Sequence, residues 1–213
     1  MDTGIWGVDT ISGKRPGSLR VIDSLATLGF RGKRRQKFFR NELAEFLLLS
    51  RDESISLPET IGSYAGAMGI PQFIPSSYRA YSVDFDGDGR RDLIASVDDA
   101  IGSVANYLAR HGWRRMGLVA VPAEISGTAP TYKDGIKPNV TIANLRQAGV
   151  RVASEIAGTE KGRLLHFRQK SGRDYWVGFK NFYVISRYNR SKLYSLAVFQ
   201  LATGIKTAYH RDK

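Results

Sequence analysis

With 213 residues and 42% hydrophobic content, the chain is long enough for one large domain, or a core with a small insertion, and is expected to fold as a globular protein. It contains no cysteine, which excludes disulfides and thiolate metal sites; no apolar run reaches membrane-spanning length, and residues 1–30 lack the layout of a signal peptide. Thirty-two Lys and Arg against twenty Asp and Glu give a formal charge of +12, which directs the surface toward anionic partners: nucleic acid, anionic lipid or acidic polysaccharide.

Residues 1–11 read as a short apolar helix with Ile5, Trp6 and Val8 clustered, stopped by Ser12-Gly13 and Pro16. The basic cluster of Arg31, Lys33, Arg34, Arg35 and Lys37 reads as a solvated face at the start of a longer helix over 34–50. There Phe39, Leu43, Phe46, Leu47 and Ser50 recur at helical spacing. A further helix is expected after Asp98 and Asp99, acids favourable at a helix N-terminus, with Ile101, Ala105 and Leu108 on one face and Gly112 as its stop. From Leu118 to Phe179 the pattern changes to short strands, LVAVPAEI, VRVASEI, RLLHFRQ and YWVGF, with a helix over 139–147 and a hairpin turn over 170–174. A serine-capped helix over 191–202 closes the chain, with Tyr194, Ala197, Val198 and Leu201 on one face. The organisation expected is a core over 1–117 with an ion loop at 84–98, a small α/β insertion over 118–180, and a C-terminal segment over 181–213 that returns to the core.

Two adjoining stretches carry chemistry. In DFDGDGRRDL, Asp84, Asp86 and Asp88 take positions 1, 3 and 5 of a D-x-D-x-D-G loop, Gly89 supplies the turn, and the Arg90 carbonyl falls at position 7, hard oxygens at a spacing that suits calcium. Position 12 is Ala95 rather than glutamate, so Asp98 is taken as the closing ligand of a longer loop, and Asp92 can contribute through water. Without a cation the same residues form a polar turn whose carboxylates repel one another. The ion is expected to be structural, and no organic cofactor is implied. The histidines, His111, His166 and His210, are scattered away from these aspartates.

The stretch GSYAGAMGIPQFIPSSY at 62–78 combines small residues with the hydrogen-bonding groups of Ser63, Tyr64 and Gln72. It lacks the P-loop lysine and suits sugar better than phosphate, and it reads equally as a tight helix-packing loop. In this setting, with IWGVDTISG at 5–13, FFRNELAEFLLL at 38–49, AIGSVANYLARHGW at 100–113 and NFYVISRYNRSKLYSLAV at 181–198, the sequence resembles the lytic murein transglycosylases of the MltB type.

The resemblance implies a mainly α (α+β) fold: a lysozyme-like helical core with an EF-hand-like calcium loop and a small β-containing insertion. It implies cleavage of the bond between N-acetylmuramic acid and N-acetylglucosamine in peptidoglycan, with 1,6-anhydro products and one acidic residue as general acid and base. Asp9 stands where family members have glutamate in W-G-V-E-[ST]-x-[FY]-G, so its carboxyl is one methylene short, and Ile11 and Ser12 also depart from the pattern. By matching position, Ser63 and Gln72 are expected to bind the acetamido sugar, and Tyr107, Tyr188, Asn189 and Tyr194 to line the cleft. Family members carry a signal sequence and a long helical segment before this point. The expectation is therefore an N-terminally truncated chain, monomeric, at home in the periplasm or cell envelope, with any membrane anchor absent from it. Two other readings stand beside the enzyme: a catalytically impaired peptidoglycan-binding remnant of the same fold, and a basic nucleic-acid binder, which the lack of a recognition motif disfavours.

Overall fold

A computed structural model describes residues 1, 4, 5, 7, 8, 17–132, 135–170 and 172–211. Backbone contacts divide the chain into two units, Met1–Tyr107 and Leu108–Lys213. No helix among the described residues is long and apolar enough to cross a membrane.

In the first unit Gly4, Ile5, Gly7 and Val8 are helical and Ile5 is fully buried; Asp9, with the rest of the expected opening helix, lies outside the described residues. Strand β1 (Leu19–Arg20) leads directly into helix α1 (Val21–Phe30), whose buried residues Val21, Leu25 and Gly29 form one stripe. Gly29 admits helix α2 (Gln36–Glu53) at close range, since a Cβ there would stand 3.0 Å from Arg40 Cγ, and Arg40 donates to the Gly29 carbonyl at 3.3 Å.

The face of α2 differs from the one its hydrophobic spacing implies. Phe39, Glu42, Phe46 and Leu49 are buried, whereas Leu47 is 47% exposed. The reason is Glu42, whose carboxylate accepts from Ser76 N at 2.9 Å and Ser76 Oγ at 2.7 Å, in the first turn of helix α3 (Pro75–Tyr81). Those donors have no partner within α3, and a buried charge is tolerable where such hydrogen bonds complement it. Glu42→Ala is expected to destabilise the fold by about 1–3 kcal/mol, read as a lower denaturation midpoint at unchanged m-value.

Helix α4 (Val97–Arg110) also turns its apolar face by a residue from the expected one: Ala100, Val104, Tyr107 and Leu108 are buried and Ala105 is exposed. Gly112, at φ 88°, ends it as expected.

The second unit is an antiparallel five-stranded sheet, order β4-β6-β7-β3-β5, built from β3 (Ala120–Ile125), β4 (Val140–Thr141), β5 (Val150–Arg151), β6 (Lys161–Gln169) and β7 (Gly172–Gly178). The long hairpin β6-β7 pairs Arg163 with Gly178 through Gln169 with Gly172. Period-2 alternation sends side chains to two separate cores. On one face Val177 meets Ile142 and Leu145 of the short helix α5 (Ile142–Gln147), which is capped by Thr141 Oγ1 accepting from Asn144 N. On the other, Leu165 and Phe167 meet Phe182 of α6 (Lys180–Tyr188) and Leu196 of α7 (Lys192–Arg211). These contacts group α6 and α7 with the sheet in one unit. Buried Asn181 fastens the segment before β3: its Oδ1 accepts from Arg114 N at 2.8 Å, and its Nδ2 donates to the carbonyls of Arg114 (2.7 Å) and Gly117 (2.9 Å).

Candidate active site and ion loop

Strand β2 (Ile61–Gly62), paired antiparallel with β1, delivers the chain into the glycine-rich loop. Ser63 is half-buried, and its Oγ accepts from Ala65 N at 3.3 Å and Ala67 N at 3.1 Å, folding the loop back on itself. Met68 and Phe73 then exchange a pair of backbone hydrogen bonds at 2.9 and 3.1 Å, and Gln72, inside that bracket, is held at φ 53°. A left-handed glutamine is a costly conformation, sustained here by bonds from both its backbone N and its Nε2 to the Gly69 carbonyl, each 3.1 Å.

The close approach that the small residues permit is to the chain itself. At Gly69, φ 70°, a Cβ would stand 2.4 Å from the Leu93 carbonyl oxygen, and the next amide, Ile70 N, donates to that oxygen at 2.8 Å. Leu93 belongs to the ion loop, so the two informative stretches of sequence are joined by backbone. Tyr78 makes a second joint. Its buried hydroxyl donates to the Arg91 carbonyl at 2.6 Å and accepts from Leu93 N at 2.8 Å.

Burial holds the Tyr78 phenol well above its ordinary range; the Leu93 N–H opposes this, and the nearby carboxylates of Asp92 and Glu53 add to it. A phenol kept neutral in the folded state contributes stability that is complete below the unfolded value near pH ~10 and is lost as pH rises beyond it. Tyr78→Phe is expected to cost about 1–3 kcal/mol at neutral pH, because the buried Leu93 N–H loses its acceptor. The same variant should show a shallower loss of stability above pH ~10, measured by urea unfolding at a series of pH values.

The ion loop is organised by its own carboxylates. Asp84 Oδ1 accepts from Gly87 N (2.7 Å) and Asp88 N (3.1 Å), and its Oδ2 from Gly89 N (2.9 Å). Asp86 Oδ2 accepts from Ser96 Oγ at 2.8 Å, and Asp88 Oδ1 from Arg90 N at 2.8 Å. The group that converges is Asp84, Asp86 and Asp99, whose ligand oxygens lie within 4.8 Å of one another. Asp98 is exposed and outside it, and Asp88 is exposed on the loop. Asp99, one residue further along the first turn of α4, is completely buried and accepts from Phe85 N and Asp92 N, each at 2.7 Å. None of these aspartates forms an ion pair with a described Lys or Arg, the ion pairs among the described residues of this unit being those of Arg20, Arg51, Arg79 and Arg91. Clustered carboxylate oxygens with one member fully buried fit a hard cation such as calcium.

Tyr107 is 7% exposed, its ring covered by Phe73 (centroids 5.7 Å apart) and Tyr81 (4.8 Å). In the second unit Tyr188 ends α6, Asn189 is exposed with Oδ1 accepting from Ser191 N at 3.2 Å, and Tyr194, 9% exposed, donates its backbone N–H to Ser191 Oγ at 3.2 Å. The structure thus places Ser63, Gln72 and Tyr107 in the first unit and Tyr188, Asn189 and Tyr194 at the corner between α6 and α7 in the second. A cavity of about 390 Å³ in the first unit opens where Gly69 and Ile70 meet Arg90–Asp92, and neither Ser63 nor Gln72 lines it.

Three comparisons bear on this arrangement. The family described as the transglycosylase SLT domain matches residues 3–203. Membrane-bound lytic murein transglycosylase B of Escherichia coli (strain K12) is 45% identical over 205 residues, which are 96% of this chain and 56% of that protein, so the chain spans little more than half of its length. The crystal structure of the Escherichia coli lytic transglycosylase Slt35 in complex with calcium superposes with a TM-score of 0.89 at 44% identity, covering 97% of this chain and 65% of that one. SltB3 from Pseudomonas aeruginosa, solved in complex with NAG-NAM-pentapeptide, superposes with a TM-score of 0.80 at 34% identity over 96% of this chain and 56% of its own. The fold is that of these enzymes, mainly helical with a small sheet. The chain belongs to the transglycosylase SLT domain family and, within it, to the MltB type.

Proposed function

We propose that the chain is a peptidoglycan lytic transglycosylase that cleaves the β-1,4 bond between N-acetylmuramic acid and N-acetylglucosamine without water, leaving a 1,6-anhydro end. Asp9 is the single acid and base. Its carboxyl gives a proton to the glycosidic oxygen as the bond from that oxygen to C1 breaks; the resulting carboxylate takes the proton of the C6 hydroxyl as the C6 oxygen bonds to C1. The bond lost between sugars is replaced by one within a sugar, and the proton returns to Asp9. Ser63 and Gln72 hold the acetamido sugar, and Tyr107, Tyr188, Asn189 and Tyr194 contact the glycan.

A calcium ion held by Asp84, Asp86 and Asp99, with Asp88, the Arg90 carbonyl and Asp98 in reserve, would supply charge compensation and stiffness. It takes no part in bond cleavage. The backbone bond from Ile70 to Leu93 supports that role, because ordering the ion loop then orders the glycine-rich loop. The partners are glycan strands, met in the periplasm or cell envelope by a monomer.

The observation that carries the reading is the family match over residues 3–203, which takes in both loops. Incubation with purified sacculi tests it. Muropeptides with a 1,6-anhydro end, lighter by one water than hydrolysed ones and inert to borohydride, are expected by mass spectrometry; release of reducing ends alone would make the protein a hydrolase. No release, with sacculi retained on sedimentation, would leave the binding remnant.

A further inference from the structure

The positive charge of the chain is not shared between its units. Leu108–Lys213 holds nineteen Lys and Arg against six Asp and Glu, whereas Met1–Tyr107 holds thirteen against fourteen. Among the described residues of the second unit, β6 has no strand on its outer side beyond the two residues where β4 covers it, and a cavity of about 610 Å³ opens along that edge. Arg163 of β6, Arg173 and Tyr175 of β7, Arg190 and Lys192 at the start of α7, and Tyr132 line it, and no described Asp or Glu does.

Arg163 is the informative member. It is 5% exposed, its Nη1 donates to Asn139 Oδ1 at 2.9 Å, and its guanidinium carbon stands 5.8 Å from the centre of the Tyr132 ring. Among the described residues neither it nor Arg173, Arg190 or Lys192 has a carboxylate partner. A buried guanidinium with a neutral amide and an aromatic face for company is unfavourable unless an anion completes its hydrogen bonding. The apolar residues Pro130, Ile136 and Leu165 share the cavity, and its volume exceeds what a simple ion fills, so the anion it suits is a group on a larger organic molecule.

We propose that this cavity binds the carboxylate-bearing peptide stem of the glycan, with Arg163, Arg173 and Arg190 taking carboxylate oxygens and Tyr132 and Tyr175 flanking the peptide. The identity of the ligand rests on the transglycosylase reading; the existence of an anion site rests on Arg163 and its cavity. Arginine is the side chain whose planar donors match a carboxylate in pairs.

Fluorescence anisotropy with a labelled, sugar-free stem pentapeptide, beside the same peptide with its carboxyl groups amidated, tests the proposal. The free acid is expected to bind, and amidation is expected to weaken it on the order of tenfold, as are Arg163→Gln and the double variant Arg173→Gln/Arg190→Gln. Arg173 and Arg190 are exposed, so the double variant carries the test should Arg163→Gln fail to fold. Equal binding of acid and amide, no binding of either, or a double variant that binds like the parent would overturn the proposal. Glycan strands stripped of peptide separate the two readings. A protein that cleaves them but ignores the pentapeptide keeps its activity and loses this site; one that binds the pentapeptide through these arginines but forms no anhydro product keeps the site and loses the activity.

Discussion

Asp9→Ala is expected to abolish release of 1,6-anhydromuropeptides from sacculi, and Asp9→Glu to raise it on the order of a hundredfold. Both follow from reach. A single carboxyl has to meet the glycosidic oxygen and then the C6 hydroxyl, and the aspartate side chain is one methylene shorter than the glutamate that the family motif carries. A displacement of roughly 1 Å at the reacting atom costs about that factor in rate. The apolar neighbours Ile5, Trp6 and Val8 in sequence suit a group that must keep its proton near neutrality. Initial rates of anhydro product, normalised to folded protein by circular dichroism, measure the effect. Equal traces from parent and Asp9→Ala would remove Asp9 from catalysis. A glutamate variant no faster than the parent would mean that the chain has adjusted the site to the shorter acid.

The second large effect concerns the ion. Calcium at about a hundred times its dissociation constant would add about 2.7 kcal/mol to stability, which for a chain of this size raises the melting temperature by roughly 5–10 °C. Chelation should reverse the shift. Asp99→Asn is expected to eliminate the response, because it removes the charge of the one fully buried carboxylate in the cluster, while Asp98→Asn should leave it nearly intact. A response lost in the Asp98 variant and kept in the Asp99 variant would reverse the assignment. Hydrogen exchange supplies an independent readout: calcium should slow exchange at Ile70, whose amide is bonded to Leu93 in the ion loop.

These two residues also mark how far the sequence can be read. The D-x-D-x-D-G spacing locates the loop and its first two clustered carboxylates, Asp84 and Asp86, because local turns that their own side chains organise bring them together. The choice between Asp98 and Asp99 depends on where α4 begins and how it is rotated, which packing of Ala100, Val104 and Leu108 decides. The same holds for α2. Its apolar spacing identifies a helix, but the buried face is set by Glu42 reaching Ser76, thirty-four residues away, and no local pattern announces that bond. Ser191 is legible as a cap because a cap is a local hydrogen bond. Arg163 was not legible as a site residue, since its burial follows from the pairing of β6 with β7 and from the segments around Tyr132 and Asn139.

The uneven division of charge has a consequence for folding itself. Leu108–Lys213 must close against the mutual repulsion of its own cations, while Met1–Tyr107 is nearly balanced and has ion pairs to spare. Self-repulsion of that kind is strongest in dilute buffer and fades as the screening length shrinks toward ~8 Å at physiological ionic strength. The two halves of one chain therefore respond in different measure to salt: counterions relieve the net repulsion of the sheet with its helices, whereas in the nearly balanced unit they screen only local contacts, the crowded aspartates of the ion loop and the ion pairs alike. A polyanion would do for the second half what concentrated salt does, making the surface to which it adheres a part of what keeps it folded.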